Sequence, residues 1–269
     1  MGTIRKKYWR SKQTADFDFM NAYSKHAQTD FHFHHGFTVS AVETGSLPMF
    51  FTGFRTVLKP GDLLLMGPDV PHTFDRAAGD WACNYRTMTY PGASRYAELE
   101  RVFAAERNAI CVIRNRAGWR DFLRVMGDAE QGGEHATRAM GQIFCDLLSN
   151  VSRNLTWRFH VQNPRIRKAR SYLDENYATP PDIEVLSSAT SLSSRHFIRL
   201  FKSEMGMTPH RYINQLRINA ARRMIGKGGS LIWIAHELGF SDQSHFSKTF
   251  SKLLGVSPLR YLSGGVAEN

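Results

Sequence analysis

The chain has 269 residues, is 42% hydrophobic and carries a formal net charge of +11, with a sequence pI near 9.8. This length suits two domains rather than one, and no stretch approaches the roughly 18 apolar residues needed to cross a bilayer. The three cysteines, Cys83, Cys111 and Cys145, lack the paired spacing of a zinc site or a disulfide framework. We therefore expect a soluble, cytoplasmic protein with no membrane association, whose positive charge favours a polyanionic partner.

The segment from Phe17 to Tyr90 has the pattern of β-structure. Short apolar runs such as Phe37–Val42 and Asp62–Gly67 are separated by turns that contain Gly or Pro, for example Pro60-Gly61. Many short strands at close spacing are typical of a small antiparallel barrel or sandwich.

Within that segment the run from His32 to Phe74 resembles a cupin barrel. The matching pieces are the His32-x-His34 pair, the Gly45 turn, Pro60-Gly61-Asp62 and Pro68 to His72, and the later run Asp80–Pro91 is similar to the closing strand of such barrels. A small barrel has a lumen just large enough for one small ligand. The resemblance therefore implies an effector-binding barrel over residues 1–92. We expect some of these residues to bind the ligand: His34, His72, Trp81 and Arg86.

The histidines raise the question of a metal. Two histidines at i and i+2 on a strand point to the same face, and His72 could complete a facial set. Metal-binding cupins, however, usually place a Glu a few residues after the second His, where this chain has Thr38 and Val39, and Glu43 lies too far along, at the turn. The missing Glu therefore argues against a metal without excluding one, and favours two other interpretations: the histidines hydrogen-bond an organic effector, or they are satisfied inside the fold.

Between Ala93 and Arg153 the hydrophobic period changes from two to about 3.6, which predicts helices. One stripe contains Trp119, Phe122, Leu123 and Met126, and a second contains Met140, Ile143, Phe144, Leu147, Leu148 and Val151. Both stripes could pack on the barrel, or one could form the seam of a two-fold dimer, the commonest assembly. We expect residues 93–153 to be a helical extension that makes the protein a homodimer. Residues 154–164 break the helical period and end in Pro, so we expect a linker there, followed by a second domain over 165–269.

The last hundred residues repeat themselves at a fixed offset. Seven residues recur 49 positions later, namely His196, Phe197, Phe201, Gly206, Pro209, Arg211 and Tyr212, which become His245, Phe246, Phe250, Gly255, Pro258, Arg260 and Tyr261. A single register shared by seven matches indicates two copies of one helical unit.

Each copy is predicted to be a helix, a tight turn and a second helix. The first copy has a short helix over Ile183–Ala189 and a second helix over 193–205, and the second copy has Leu231–Leu238 and 242–254. A helix from about Pro209 to Ile225 joins them, and its sixteen or so residues, at about 1.5 Å each, can hold the two second helices apart.

The outward faces of the second helices carry polar and basic side chains. They are Ser194, Arg195, Ile198, Arg199 and Lys202 in the first copy and Gln243, Ser244, Ser247 and Lys248 in the second. A solvated charged face is the default explanation. From Asn163 onward, however, 15 Lys and Arg stand against 8 Asp and Glu, a net charge of +7. Duplication, basic bias and turn chemistry together favour two helix-turn-helix units that bind double-stranded DNA through the major groove.

The run from Ile166 to Tyr261 resembles the DNA-binding domain of AraC-type (AraC/XylS) transcription regulators. The second copy has these residues where the family pattern has them: Ala235, Gly239, Phe240, Phe246, Phe250, Gly255 and Pro258. The first copy is looser, with Ser187 in place of the usual Ala and Ser191 in place of the usual Gly.

The resemblance implies an α+β protein with an N-terminal cupin-like β-barrel, following helices and a C-terminal all-α domain of two helix-turn-helix units. It implies a ligand-responsive regulator whose recognition helices, 193–205 and 242–254, read successive major grooves. Its expected partners are double-stranded DNA, a small-molecule effector and a second copy of itself, with RNA polymerase as a candidate. No catalytic residue and no cofactor are expected.

Two alternatives remain open. The barrel could serve only to dimerise or to meet another protein, in a regulator without an effector. The chain could also be a metal-dependent cupin enzyme fused to a DNA-binding domain, although the missing Glu and the reader domain argue against an enzyme.

Overall fold

The computed structural model describes residues 3–9, 17–26, 29–75, 77–90, 108–131, 139, 142–143, 146–147, 155–263 and 266–268. The chain divides into two compact units, Met1–Phe159 together with Leu259–Asn269, and His160–Pro258. Within the ranges just given, no helix combines the length and the hydropathy that a membrane span requires.

The first unit is built on two antiparallel sheets. Its strands are β1 (Thr3–Trp9), β2 (Asp18–Lys25), β3 (Phe37–Gly45), β4 (Leu47–Phe51), β5 (Phe54–Leu58), β6 (Asp62–Met66), β7 (His72–Phe74), β8 (Ala82–Tyr90), β9 (Ala109–Arg114), β10 (Leu155–Arg158) and β11 (Val266–Glu268). The large sheet has the order β10-β9-β6-β3-β8-β2-β1-β11, and the small sheet the order β5-β4-β7. The inner faces of the two sheets meet where Phe74 packs edge-on against Tyr85, with ring centroids 6.1 Å apart.

The outer face of the large sheet is covered by helix α1 (Arg116–Glu130). The helix begins where the side chain of Asn115 accepts hydrogen bonds from the backbone N–H groups of residues 117 and 118. Phe122 and Met126 are buried with Val39 and Met88 in one core, and each fully buried side chain of this size contributes about 1.5 to 3 kcal/mol. The first predicted helical stripe therefore packs on the sheet.

The second predicted stripe is only partly described. Ala139, Ile143 and Leu147 are helical and half-buried against the same core. The other members of the stripe, Met140, Phe144, Leu148 and Val151, lie outside the described residues, and so does the dimer seam expected there.

The segment expected to be a linker, 154–164, contains a strand in its first half. Strand β10 pairs with β9 at the edge of the large sheet. The reason is a period-2 apolar pattern at Leu155, Trp157 and Phe159: Trp157 stacks on Phe54 with centroids 5.8 Å apart, and Phe159 is 1% exposed. Pairing with β9 and the stacking of Trp157 on Phe54 therefore make this segment a strand, although its polar residues are typical of a loop.

The second unit is helical. Its helices are α2 (Pro164–Asn176), α3 (Ile183–Ala189), α4 (Ser194–Met205), α5 (Pro209–Gly226), α6 (Leu231–Glu237) and α7 (Gln243–Leu254). A short helix α8 (Pro258–Leu262) follows, and its residues from Leu259 onward belong to the first unit. The predicted recognition helices are α4 and α7, each preceded by its N-cap residue, Ser193 and Asp242.

The repeated aromatic residues form the core of each helix-turn-helix. Phe197 and Phe201 of α4 and Phe246 and Phe250 of α7 are fully buried. Both recognition helices end at a glycine in the left-handed region, Gly206 with φ 70° and Gly255 with φ 83°, the usual end of a helix in proteins. Helix α5 packs against α4, α6 and α7, so one helix contacts both helix-turn-helix motifs.

Candidate functional site

The exposed face of α4 is basic. Arg195, Arg199 and Lys202 stand at i, i+4 and i+7, are all exposed, and form no ion pair within the described part of the chain. Ile198 lies on the same face and is 36% exposed. Cations without a protein partner on one helix face are available to phosphates and base edges.

Ser194 is placed differently from its neighbours. It is half-buried, and its hydroxyl lies 3.0 Å from that of Ser187, which itself donates to the carbonyl of Glu184. Because the proton of Ser187 is used in that way, Ser194 donates its own proton to Ser187. The pair links α3 to α4, which accounts for Ser at position 187 and leaves Ser194 without a proton for DNA.

The exposed face of α7 carries polar side chains and lysine. Gln243, Ser244 and Lys248 are exposed and Ser247 is half-buried. Lys248 forms no ion pair with any described residue. The helix begins at Asp242, whose carboxylate accepts a hydrogen bond of 2.7 Å from the backbone N–H of His245.

The turn between α6 and α7 depends on Gly239, with φ 71°. A Cβ at this position would clash with the carbonyl of Ala178 and the guanidinium of Arg217. Arg217 donates hydrogen bonds of 2.9 Å and 3.1 Å to the carbonyls of Tyr177 and Ala178 and lies 5.4 Å from the centre of the Phe240 ring. Sequence reasoning missed Arg217, because nothing in its helical pattern distinguishes it from a solvated arginine.

In the first unit, three histidines converge on the inner side of the small sheet. His32 and His72 face each other across an antiparallel bridge and exchange backbone hydrogen bonds of 3.0 Å and 2.9 Å. Residues paired in this way project side chains to the same face, and His34 follows two positions after His32. The ring centroids of His32 and His72 are 4.3 Å apart, and those of His34 and His72 are 5.2 Å apart. His72 thus joins the predicted pair of His32 and His34, as the sequence analysis suggested.

Backbone carbonyls orient two of these rings. The Nδ1 atom of His72 lies 2.9 Å from the carbonyl of Val70, and that of His32 lies 3.1 Å from the carbonyl of Asp30. A carbonyl only accepts, so Nδ1 carries a proton in both rings, and in a neutral ring this leaves the lone pair on Nε2. Burial lowers the pKa of His72 to about 4, so its ring is neutral at neutral pH.

The wall of the large sheet that faces the small sheet is rich in hydroxyl groups. Buried pairs join Thr38 to Thr89 at 3.2 Å and Ser40 to Thr87 at 2.9 Å. Strand register puts these four side chains on the face opposite to the α1 core, because the core residues Val39 and Met88 alternate with them. The inner face of the large sheet therefore carries these four hydroxyl side chains beside the apolar Leu64 and Met66, which pair with Ser40 and Thr38 in the strand register.

Trp81 lies beside the same interior. It is 7% exposed and meets Phe74 edge-on with centroids 5.2 Å apart. Phe74 follows His72 by two positions on β7, so Trp81 and His72 contribute to one inner surface. The backbone of Trp81 is held by His26, whose N–H donates to the Trp81 carbonyl at 3.0 Å.

Arg86 does not lie with the other ligand-binding candidates. It has the same strand parity as Met88, on the face toward α1, and its guanidinium pairs with Glu43 at 2.7 Å and Glu130 at 3.2 Å. Lys7 also pairs with Glu130, at 2.7 Å. Arg86 was expected to line the lumen, and this expectation is wrong. Successive side chains of β8 point to opposite faces of the sheet: Tyr85 and Thr87 face the small sheet, so Arg86 faces α1.

Both units match family models. Residues 20–148 match an AraC-like ligand binding domain, and residues 186–264 match a helix-turn-helix domain. The chain is 26% identical over 229 residues to YbfI, an uncharacterized HTH-type transcriptional regulator of Bacillus subtilis, covering 80% of each protein. It is 30% identical over 148 residues to the transcriptional activator RhaS of Enterobacter sp., covering 54% of this chain and 53% of RhaS.

Solved structures of ToxT share the fold. ToxT from Vibrio cholerae O395 superposes with a TM-score of 0.54 at 12% identity, covering 98% of this chain and 96% of ToxT. A ToxT structure with an unsaturated fatty acid bound gives a TM-score of 0.53 at 13% identity, covering 100% of this chain and 97% of that one. Given the ligand-binding model in one unit and the helix-turn-helix model in the other, the chain belongs to the AraC family of transcription regulators.

Proposed function

We propose that this regulator reads DNA with α4 and α7 in successive major grooves of one duplex, under the control of a small molecule bound inside the first unit. It acts in the cytoplasm as a homodimer, and we assign it no catalytic step. The observation that carries the proposal is the repetition: two equivalent helices, joined by one rigid helix, each present unpaired cationic or amide side chains on an exposed face.

The exposed side chains of α4 and α7 fall into two groups, those suited to base edges and those suited to phosphates. Arg195 and Arg199 have guanidinium groups that match the two acceptors of guanine, and Gln243 has an amide that matches adenine. Ile198 is placed to contact a thymine methyl. Lys202 and Lys248 are placed for phosphates, together with Ser244 and Ser247 as weaker hydroxyl donors. Ser194 is left out of the donors because its proton is used within the motif.

The effector is proposed to bind between the two sheets, against His34, His72 and Trp81. Two observations support this position: imidazole and indole groups meet the inner surface there, and the facing wall supplies buried hydroxyls. ToxT, whose fold is similar, has a structure with a fatty acid bound. An effector that binds one state of the protein better than another typically couples to DNA affinity by about 1 to 3 kcal/mol. Arg86 takes no part in this site.

The dimer is proposed from symmetry considerations and from the apolar stripe that the sequence predicts between Met140 and Val151. A two-fold assembly would place two pairs of recognition helices on one operator. RNA polymerase is proposed as a further partner, because the relative RhaS is a transcriptional activator.

Salt-dependent DNA titrations test the base-reading roles. The full chain and its Arg199→Ala and Lys248→Ala variants are titrated with the preferred site, selected from genomic fragments, and with an unrelated duplex. Arg199→Ala should weaken binding to the preferred site by about 1 to 3 kcal/mol and leave the unrelated duplex nearly unchanged. Lys248→Ala should weaken both and reduce the slope against salt by about 1.

The matched control is Lys59→Ala, which removes one exposed positive charge from a turn of the first unit. It should leave both affinities unchanged. An equal loss on both duplexes for Arg199→Ala would refute the role of Arg199 in base reading.

A further inference from the structure

The histidine trio consists of His32, His34 and His72, whose ligand-capable atoms all lie within 4.8 Å of one another. A zinc ion with bonds of 2.0 to 2.1 Å to imidazole nitrogens requires nitrogen atoms about 3.4 Å apart. Small side-chain rotations are therefore enough to bring the three rings around one ion.

The backbone holds the trio in place without any ligand. His32 and His72 are opposite partners in a bridge closed by two hydrogen bonds, and His34, two positions after His32, places its ring 5.2 Å from that of His72. The three rings thus come from β7 and from the segment before β3, where the His34 carbonyl also accepts a hydrogen bond of 2.8 Å from the backbone N–H of Asp69. Such support is what allows a site to keep its ligands within bonding reach.

The hydrogen bonds around the rings favour metal coordination as well. His72 and His32 each donate from Nδ1 to a carbonyl, of Val70 and Asp30 respectively. Metal-binding histidines almost always donate their second N–H to a carbonyl or carboxylate, which fixes the tautomer and raises the basicity of the ligand nitrogen. The same two bonds put the lone pair on Nε2, the atom farthest from the backbone.

We propose that His32, His34 and His72 bind one divalent transition-metal ion through imidazole nitrogens, with at least one coordination position open toward the interior. Three imidazoles suit zinc, iron, nickel or copper, whereas magnesium and calcium prefer oxygen ligands. A three-histidine set with a position left for an exogenous ligand is an established coordination in proteins. The glutamate whose absence argued against a metal in the sequence is therefore not required.

The open position suggests how an effector would be recognised. An ion held by three neutral imidazoles keeps its positive charge and attracts an oxygen donor such as a carboxylate. This second step rests on the proposed effector site between the sheets, whereas the metal site itself does not.

Metal titration of the full chain tests the site. The protein is stripped with a chelator and titrated with Zn²⁺ by calorimetry and with Co²⁺ by visible absorption. The wild type should bind one ion per chain and show the absorption bands of nitrogen-coordinated cobalt. His32→Ala and His34→Ala should each weaken Zn²⁺ binding by at least about tenfold, since even loss of an outer partner of a ligand costs 10-fold to 100-fold.

The controls separate loss of a ligand from loss of the fold. His32 and His34 are half-buried, so they carry the test in preference to His72, whose substitution could unfold the unit. Circular dichroism verifies each variant. His236→Ala removes a histidine whose side chain is 88% exposed on α6 and should bind Zn²⁺ like the wild type.

Two results would overturn the site: no saturable binding to the wild type, or unchanged binding to both folded variants. DNA titrations on the same preparations keep the two proposals apart. Selective DNA binding without metal binding overturns the metal site alone. Metal binding without selective DNA binding supports the site and overturns the proposed DNA-reading mechanism.

Discussion

At the scale of single residues, the turns of the two helix-turn-helix motifs share a positive φ angle but have different residues at that position. Gly239 and Ser191 both have positive φ, 71° and 55°. The left-handed region costs an ordinary residue about 1 to 2 kcal/mol, so Ser191 is strained where Gly239 is not. The comparison with the family pattern identified Ser191 as a departure from the usual Gly, and the positive φ gives the physical meaning of that departure.

Ser191→Gly should therefore stabilise the protein. We expect a gain of about 0.5 to 1 kcal/mol, the relief of the left-handed strain less the extra chain entropy of glycine. Chemical denaturation of the wild type and the variant measures it. The reciprocal change, Gly239→Ser, should destabilise strongly, because its Cβ would meet the Ala178 carbonyl. A loss of stability in Ser191→Gly would contradict the strain.

Arg86 gives a second test at this scale. Arg86→Gln leaves Glu43 and Glu130, whose side chains are 28% and 22% exposed, without their guanidinium partner. We expect a loss of about 1 to 3 kcal/mol in the free energy of unfolding. Arg124→Gln, on the exposed face of α1, should cost less than about 1 kcal/mol. Zn²⁺ binding should be unchanged in both variants because Arg86 lies on the opposite face from the histidine trio.

At the scale of elements, the recognition helices were the most predictable part of the chain. Their apolar spacing, their caps and their C-terminal glycines are local signals, and the helices of the structure, Ser194–Met205 and Gln243–Leu254, agree with the predicted ranges. Strand β10 was not predicted, because its pairing with β9 and the stacking of Trp157 on Phe54 are contacts between distant parts of the sequence.

The N-cap of α7 should make its stability depend on pH. Hydrogen bonds from the His245 backbone N–H and then from the Ser241 hydroxyl hold the pKa of Asp242 below its ordinary 3.8. Since the folded pKa is lower than the unfolded one, the cap stabilises α7 fully above about pH 4 and loses this effect as the pH falls through the folded pKa.

Substitutions at Asp242 separate the cap from its charge. Asp242→Asn keeps a capping oxygen and should flatten the acid dependence of the melting temperature, whereas Asp242→Ala should lower that temperature at neutral pH as well. Thermal unfolding between about pH 6 and about pH 3 measures both. An acid dependence in Asp242→Asn identical to that of the wild type would contradict the role of the carboxylate.

At the scale of the whole molecule, the sequence predicted an antiparallel barrel followed by a duplicated helical reader, and the family models and the fold agree with that organisation. The candidate effector site was less predictable. The rings of His34 and His72 lie close together as expected, but Arg86 points to the opposite face of β8 and lies outside the site. When both faces of a strand are buried, no local sequence pattern shows which residues point to which face.

The central claim is that α4 and α7 each occupy a major groove of the same duplex. Hydroxyl-radical footprinting of the full chain on a genomic fragment that it selects tests it most directly. The account predicts paired protections on one face of the helix, about 34 Å apart. Arg195→Ala with Arg199→Ala should remove one member of each pair, and Gln243→Ala with Lys248→Ala should remove the other. A single undivided protection that both double variants weaken equally would contradict the account.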